Sequence, residues 1–145
     1  MRRLRDGEWI AAAGGVALLG SLFLHWYEVA GGEATAWQAL AVLDVVLALL
    51  ALAPLTLFAL QVTRRSPSLP VAFSVFTVLA GALATLLIAY RILNQPGANE
   101  AVGVQIGAWL GLAAAVVATV GGWRSLRTEA IPSLPLPQIQ KLPAP

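Results

Sequence analysis

Asp44 is the residue of this chain best placed to do chemistry. It closes the stretch HWYEVAGGEATAWQALAVLD, residues 25–44, and lies inside an apolar run that continues to Leu60. A carboxylate set into a membrane-length apolar run can bind a cation, relay a proton or clamp a neighbouring arginine. On a continuous helix Trp37, Ala41, Asp44, Ala48 and Ala51 share a face, with Val42, Val46 and Leu49 opposite. Asp44 is therefore expected to face other helices rather than lipid, about 10 Å below the outer boundary for a helix that starts near Trp37. A charged aspartate at the centre of a span costs about 2.5–3.5 kcal/mol, and less near an interface. Something must offset that cost.

Arg91 and His25 are the first candidates. Arg91 is the one cation near the same end of the apolar runs, and its long stem can reach inward. His25 closes the first run at a similar depth. Threonine and serine hydroxyls, or the indole N–H of Trp26 or Trp37, are further donors. Three readings of Asp44 stand: a structural clamp, a ligand or proton site, and a hydrated position with no role. The clamp is favoured, because an arginine is available on a neighbouring run.

Other chemistry finds little support. The chain has no cysteine and one histidine. That removes thiolate nucleophiles, disulfides and multi-histidine metal sites. No serine stands at a suggestive spacing from a base, and no phosphate-binding loop occurs. Catalytic, cofactor and metal residues are expected to be none, and the chain is expected not to be an enzyme. A net charge of +2 is too small to signal a nucleic-acid partner.

The elements that position Asp44 follow from composition. Apolar residues make up 59% of the chain and charged residues 11%, against about 25% charged in soluble domains. A bilayer must supply the missing solvent. Apolar runs at 9–26, 37–60, 69–93 and 102–123 each approach the roughly 20 residues of a span. Backbone groups in lipid must be satisfied within a segment, so each run should be a helix. Strict alternation is absent, which argues against a membrane barrel. The expected fold is an all-α integral membrane protein, a four-transmembrane-helix bundle running up-down-up-down over residues 1–130. Residues 131–145 hold five prolines and read as a disordered cytoplasmic tail. Pro132-Ser133-Leu134-Pro135 in that tail fits a proline-x-x-proline pattern, though a solvated tail is the simpler reading.

Charge sets the orientation. Arg2, Arg3, Arg5, Arg64, Arg65, Arg124, Arg127 and Lys141 fall on one side of the runs, and Arg91 alone falls near the other. The positive-inside rule makes the first side cytoplasmic, with both termini inside and Glu28, Glu33 and Glu100 in outer loops. Trp9 and Trp123 at inner ends, and Trp26, Tyr27, Trp37 and Tyr90 at outer ends, suit an interfacial belt. Trp109 lies a little inside the fourth span. The basic start is not read as a cleaved signal, since the apolar run is long and no Ala-x-Ala site follows.

Small residues recur every fourth position. The fourth run carries Gly103, Gly107, Gly111, Ala115 and Thr119; the third has Thr77, Gly81, Thr85 and Ala89; the first has Ala13, Ala17 and Ser21. Such stripes let backbones approach closely. Packing inside one chain is preferred, and homodimerisation stays open. Pro54 should kink the second helix. Gly121-Gly122 should close the fourth.

Several segments together carry a resemblance. They are His25-Trp26-Tyr27-Glu28, Ala36-Trp37-Gln38-Ala39-Leu40 with Asp44, Arg64-Arg65-Ser66-Pro67, Gly107-Ala108-Trp109-Leu110-Gly111, and the stretch from Gly122-Trp123-Arg124 to Arg127-Thr128-Glu129. Over nearly all of residues 1–130 the chain resembles small four-span bacterial inner-membrane proteins of unassigned function. The resemblance implies a multi-pass location in the bacterial plasma membrane and brings no activity. Small multidrug transporters carry a glutamate in their first span, and the run from Trp9 has no acid. Vitamin K epoxide reductase-like proteins need cysteines. The expected function is that of a non-enzymatic accessory protein, acting through helix–helix and outer-loop contacts. Its partners would be the lipid bilayer and a membrane protein or a second copy. A small oligomeric transporter or channel component using Asp44 is the alternative.

Overall fold

The first apolar run forms helix α1, Asp6–Ser21, in the computed structural model, which describes residues 6–63, 69–95 and 103–129. Helices take up 81% of the described residues. After α1 come strands β1 (His25–Val29) and β2 (Gly32–Thr35), then the single turn α2 (Ala36–Ala39). Helices α3 (Val42–Thr63) and α4 (Leu69–Leu93) follow, then strand β3 (Gly103–Val104) and helix α5 (Ile106–Glu129). Among the described residues three helices are long and apolar enough to cross a membrane: Val42–Thr63, Ala72–Leu93 and Ile106–Thr128. Arg2, Arg3, Arg5, Arg64, Arg65, Glu100, Lys141 and the proline-rich tail lie outside the described residues.

The boundaries depart from the apolar runs for local reasons. Helix α1 starts three residues before Trp9 and takes in Glu8, which is buried. It ends at Ser21, but bonds from Leu22, Phe23 and Leu24 to the carbonyls three residues back continue it as a tighter turn through Leu24. The second run is broken at Ala41, whose φ of +49° lies in the left-handed region. That break separates α2 from α3, so Trp37 and Ala41 do not share a helix with Asp44. Gly121 and Gly122 do not close α5, which runs on to Glu129. Both are spent on close packing instead.

Where the sequence predicts a loop, a three-stranded antiparallel sheet stands, in the order β2-β1-β3. Ala30 and Gly31 make the turn between β1 and β2, and Gly31 and Gly32 have φ of +114° and +149°. Only glycine adopts such angles freely. The register shifts between His25 and Tyr27, a bulge in β1. A bulge turns successive side chains toward the same side. Trp26 and Tyr27 are both fully buried.

The long helices pack as a ring, α1 against α3 and α5, and α4 against α3 and α5. Neighbours run antiparallel. On the α1–α5 seam Gly7 meets Ser125 and Gly121, Gly14 meets Ala114 and Ala118, and Gly111 meets Ser21. On the α4–α5 seam Thr77 meets Gly122, Gly81 meets Thr119, and Ser74 and Ser125 share a buried hydrogen bond of 3.3 Å. Between α1 and α3 the Pro54 ring lies where a side chain on Gly15 would stand, 2.8 Å from its Cβ position. Trp9 meets Phe58 edge-on at 4.9 Å. In lipid, such close contact of small residues holds helices together. Ala13 and Ala17 take no part in this seam. They are exposed, while Ala11, Gly14 and Leu18 face inward.

Candidate functional site

The polar residues singled out in the sequence lie at the sheet end of the helices, with His25 in β1 itself. Asp44 is the third residue of α3 and 3% exposed. It shares its buried face with Leu47, Ala51, Pro54 and Leu57. Its Oδ1 accepts a hydrogen bond of 2.6 Å from the Val45 N–H. The first four N–H groups of a helix have no intrahelical partner, and the helix dipole is positive there. A carboxylate in that first turn is stabilised without any cation. Asp44 thus sits at a helix start, not seven residues into one.

Two other helix ends are met by the buried aromatics. The Trp26 indole donates to the Ser21 carbonyl at 2.7 Å, at the end of α1. The Tyr27 hydroxyl donates to the Arg91 carbonyl at 3.1 Å, near the end of α4. Last-turn carbonyls are the acceptors a helix leaves unsatisfied. Burial pushes the Tyr27 phenol above its ordinary value of 10.0, and the nearby Arg91 charge pulls it part of the way back. Trp26 and Tyr27 are therefore part of the core and not of an exposed belt. Trp9, Trp37, Tyr90, Trp109 and Trp123 remain exposed. Trp109 falls in the first turn of α5, because α5 begins at Ile106.

His25 and Asp44 are engaged elsewhere, Arg91 contributes its backbone carbonyl to Tyr27, and no ion pair joins any two of the three. His25 Nδ1 lies 3.0 Å from Glu33 Oε2 across the hairpin, with both side chains about half exposed. Glu28 faces Glu33 across the same hairpin, and its Oε2 accepts from Gln105 Nε2 at 3.0 Å. The Gln105 N–H in turn donates to the Trp26 carbonyl at 2.8 Å. These bonds lock the sheet to the start of α5. Gly107 leaves room for the His25 carbonyl, 2.5 Å from where its Cβ would stand, and Gly111 makes room for the Trp26 ring. Ala115 is buried further along the same face, and Gly103 lies in β3 beside Glu28 rather than in the helix. Thr85 turns its hydroxyl back to the Gly81 carbonyl of its own helix.

No family model, curated protein or solved structure matches this chain. Its function is read from geometry alone. Among the described residues no group of three His, Cys, Asp or Glu could hold a metal ion. An apolar groove of about 440 Å³ opens outward between α1 and α5, lined by Ala13, Ala17, Leu24, Leu110 and Val117 among others. Asp44, Arg91 and His25 do not line it.

The hairpin had one legible signal, the glycine pair Gly31-Gly32 between HWYEV and EAT. The bulge hid it by breaking the alternation. Glu8 lies just ahead of the apolar run at 9–26, and only the start of α1 at Asp6 carries it into the buried face.

Proposed function

We propose that this chain is a four-span membrane protein that acts as a non-enzymatic accessory subunit, presenting a rigid polar cap on one face of the membrane. One observation carries the reading: the outer polar residues are spent on the fold. Asp44 serves the start of α3, Trp26 the end of α1, and Tyr27 the end of α4. Little of that constellation is left for a substrate. What faces outward is a small sheet bearing Glu28, Glu33 and His25.

A fourth crossing is supported by the seam. Helix α1 follows α5 along its length, from Gly7 beside Ser125 to Ser21 beside Gly111. If α5 crosses the bilayer, its antiparallel neighbour crosses with it. The arginine distribution supports cytoplasmic termini and an outer sheet. The resemblance to small bacterial inner-membrane proteins agrees with that location.

The test is a tagged purification of the full chain from native membranes in mild detergent, with mass spectrometry of what comes with it. A stoichiometric membrane-protein partner, lost on Glu28→Lys/Glu33→Lys, supports the accessory role. A clean homo-oligomer whose ion or solute flux in liposomes vanishes with Asp44→Asn overturns it in favour of a small transporter.

A further inference from the structure

Antiparallel packing gathers one kind of charge at one end of the molecule. The start of α1 lies beside the last turns of α5, Trp9 meets Phe58 near the end of α3, and Ser74 near the start of α4 meets Ser125. Two described arginines, Arg124 and Arg127, stand at these helix ends, and the sequence adds five more next to them in the chain. Arg2, Arg3 and Arg5 precede α1 in sequence, Arg64 and Arg65 follow α3, and Arg124 and Arg127 lie in α5. Three acids accompany them, Asp6, Glu8 and Glu129, and Glu8 is buried. At the other end, Arg91 stands against Glu28, Glu33, Asp44 and, in sequence, Glu100.

The basic end has a specific build at the foot of the α1–α5 seam. Arg124 and Arg127 are exposed. The Arg127 guanidinium lies 5.7 Å from the centre of the Trp123 ring, within cation–π range. Trp9 and Trp123 are each about half exposed. Below Trp123 the exposed face of α5 continues as Val116, Val117 and Val120. An indole marks the boundary between headgroups and acyl chains. A guanidinium just beyond it meets a phosphate with paired donors.

We propose that this end binds the headgroups of anionic phospholipids, with Arg124 and Arg127 on the phosphate and the acyl chains along the valine face of α5. Charge complementarity selects an anion, and the apolar track beneath the arginines selects a lipid over a free phosphate. The inference rests on the membrane-spanning part of the reading above, not on the accessory role.

The experiment titrates the full chain, in neutral detergent, with dioctanoyl phosphatidylglycerol and dioctanoyl phosphatidylcholine, followed by tryptophan fluorescence and native mass spectrometry. The anionic lipid is expected to bind at least about tenfold tighter, and less tightly as salt rises. Arg124→Gln/Arg127→Gln should weaken it by about tenfold. Arg124→Lys/Arg127→Lys should retain most of the binding, and Arg91→Gln all of it. Equal affinity for the two lipids overturns the proposal, as does an equal loss in Arg91→Gln. Competition by inorganic phosphate at concentrations matching the lipid reassigns the site to a free anion and overturns it too. If the double glutamine variant does not fold, the lipid preference and salt dependence of the parent decide. Extraction of the chain from membranes by alkaline carbonate would instead overturn the spanning reading, so the two failures are distinguishable.

Discussion

Along the α1–α5 seam, Gly7, Gly14 and Gly121 bring two backbones together. At the sheet end of the bundle, Trp26 and Tyr27 fill the space with rings. The difference follows from what the backbone needs at each place. Along the interior of the seam, as at Gly14 and Ala118, peptide groups are bonded inside their own helices, so side chains need only stay out of the way. At the helix ends carbonyls are left without donors. Large apolar residues that each carry one donor answer both needs there, and tryptophan and tyrosine are such residues.

The seam offers the strongest way to break this comparison. Gly14→Leu would drive a side chain into the α5 backbone at Ala118, and a loss on the order of several kcal/mol should leave no folded protein. Size-exclusion profiles in detergent would show it. Gly20→Leu, which meets nothing within 4 Å, should fold normally. If both variants behave alike, the seam does not hold the helices. Next comes Trp26→Ala, which empties a buried ring and leaves the Ser21 carbonyl with the Leu24 N–H alone; truncation of this kind costs about 3–5 kcal/mol. Thermal unfolding in detergent would measure it.

Tyr27→Phe keeps the ring and removes only the bond to Arg91, worth about 1 kcal/mol. It should also change the alkaline limb of stability. Burial holds the Tyr27 phenol above 10.0 in the folded chain. Its contribution is therefore full below about pH 10 and is lost as the pH rises through the folded-state value. The phenylalanine variant should lack that step in an alkaline unfolding series. Asp44→Asn leaves an acceptor for the Val45 N–H and gives up only the charge at the helix start, so a cost of about 0.3–1 kcal/mol is expected. Complete loss of folded protein would show that the charge has a partner beyond its own helix. The smallest effect belongs to His25→Gln. An exposed pair such as His25–Glu33 contributes about 0–1 kcal/mol, and chemical unfolding should barely register its removal.

Much of the helical part was legible in the chain. The apolar run at 69–93 coincides with α4, because nothing within it interrupts the pattern and its ends are plain. The runs at 37–60 and 102–123 located α3 and α5 but misjudged where they begin. Ala41 takes up a left-handed conformation that no propensity favours for alanine, so the break before α3 is imposed by what surrounds it. The start of α5 is set by the strand ahead of it, which pairs only because β1 lies alongside. For the candidate site, the residue types were legible and their partners were not. Sequence position alone pairs Asp44 with Arg91 or His25, which fall at the same end of the apolar runs. The fold gives it a backbone N–H instead and sends His25 to Glu33.

What the sequence determined by itself is the membrane-length apolar character of the chain and the location of the runs that became α3, α4 and α5. Both follow from composition and run length, which depend on no contact between distant residues. What only the tertiary structure decided is the use of each special residue. Gly121 and Gly122 pack rather than end a helix, Trp26 and Tyr27 cap rather than float, and Asp44 completes a helix start. Each of these depends on which backbone lies opposite, and a chain read in one dimension holds no record of its neighbours.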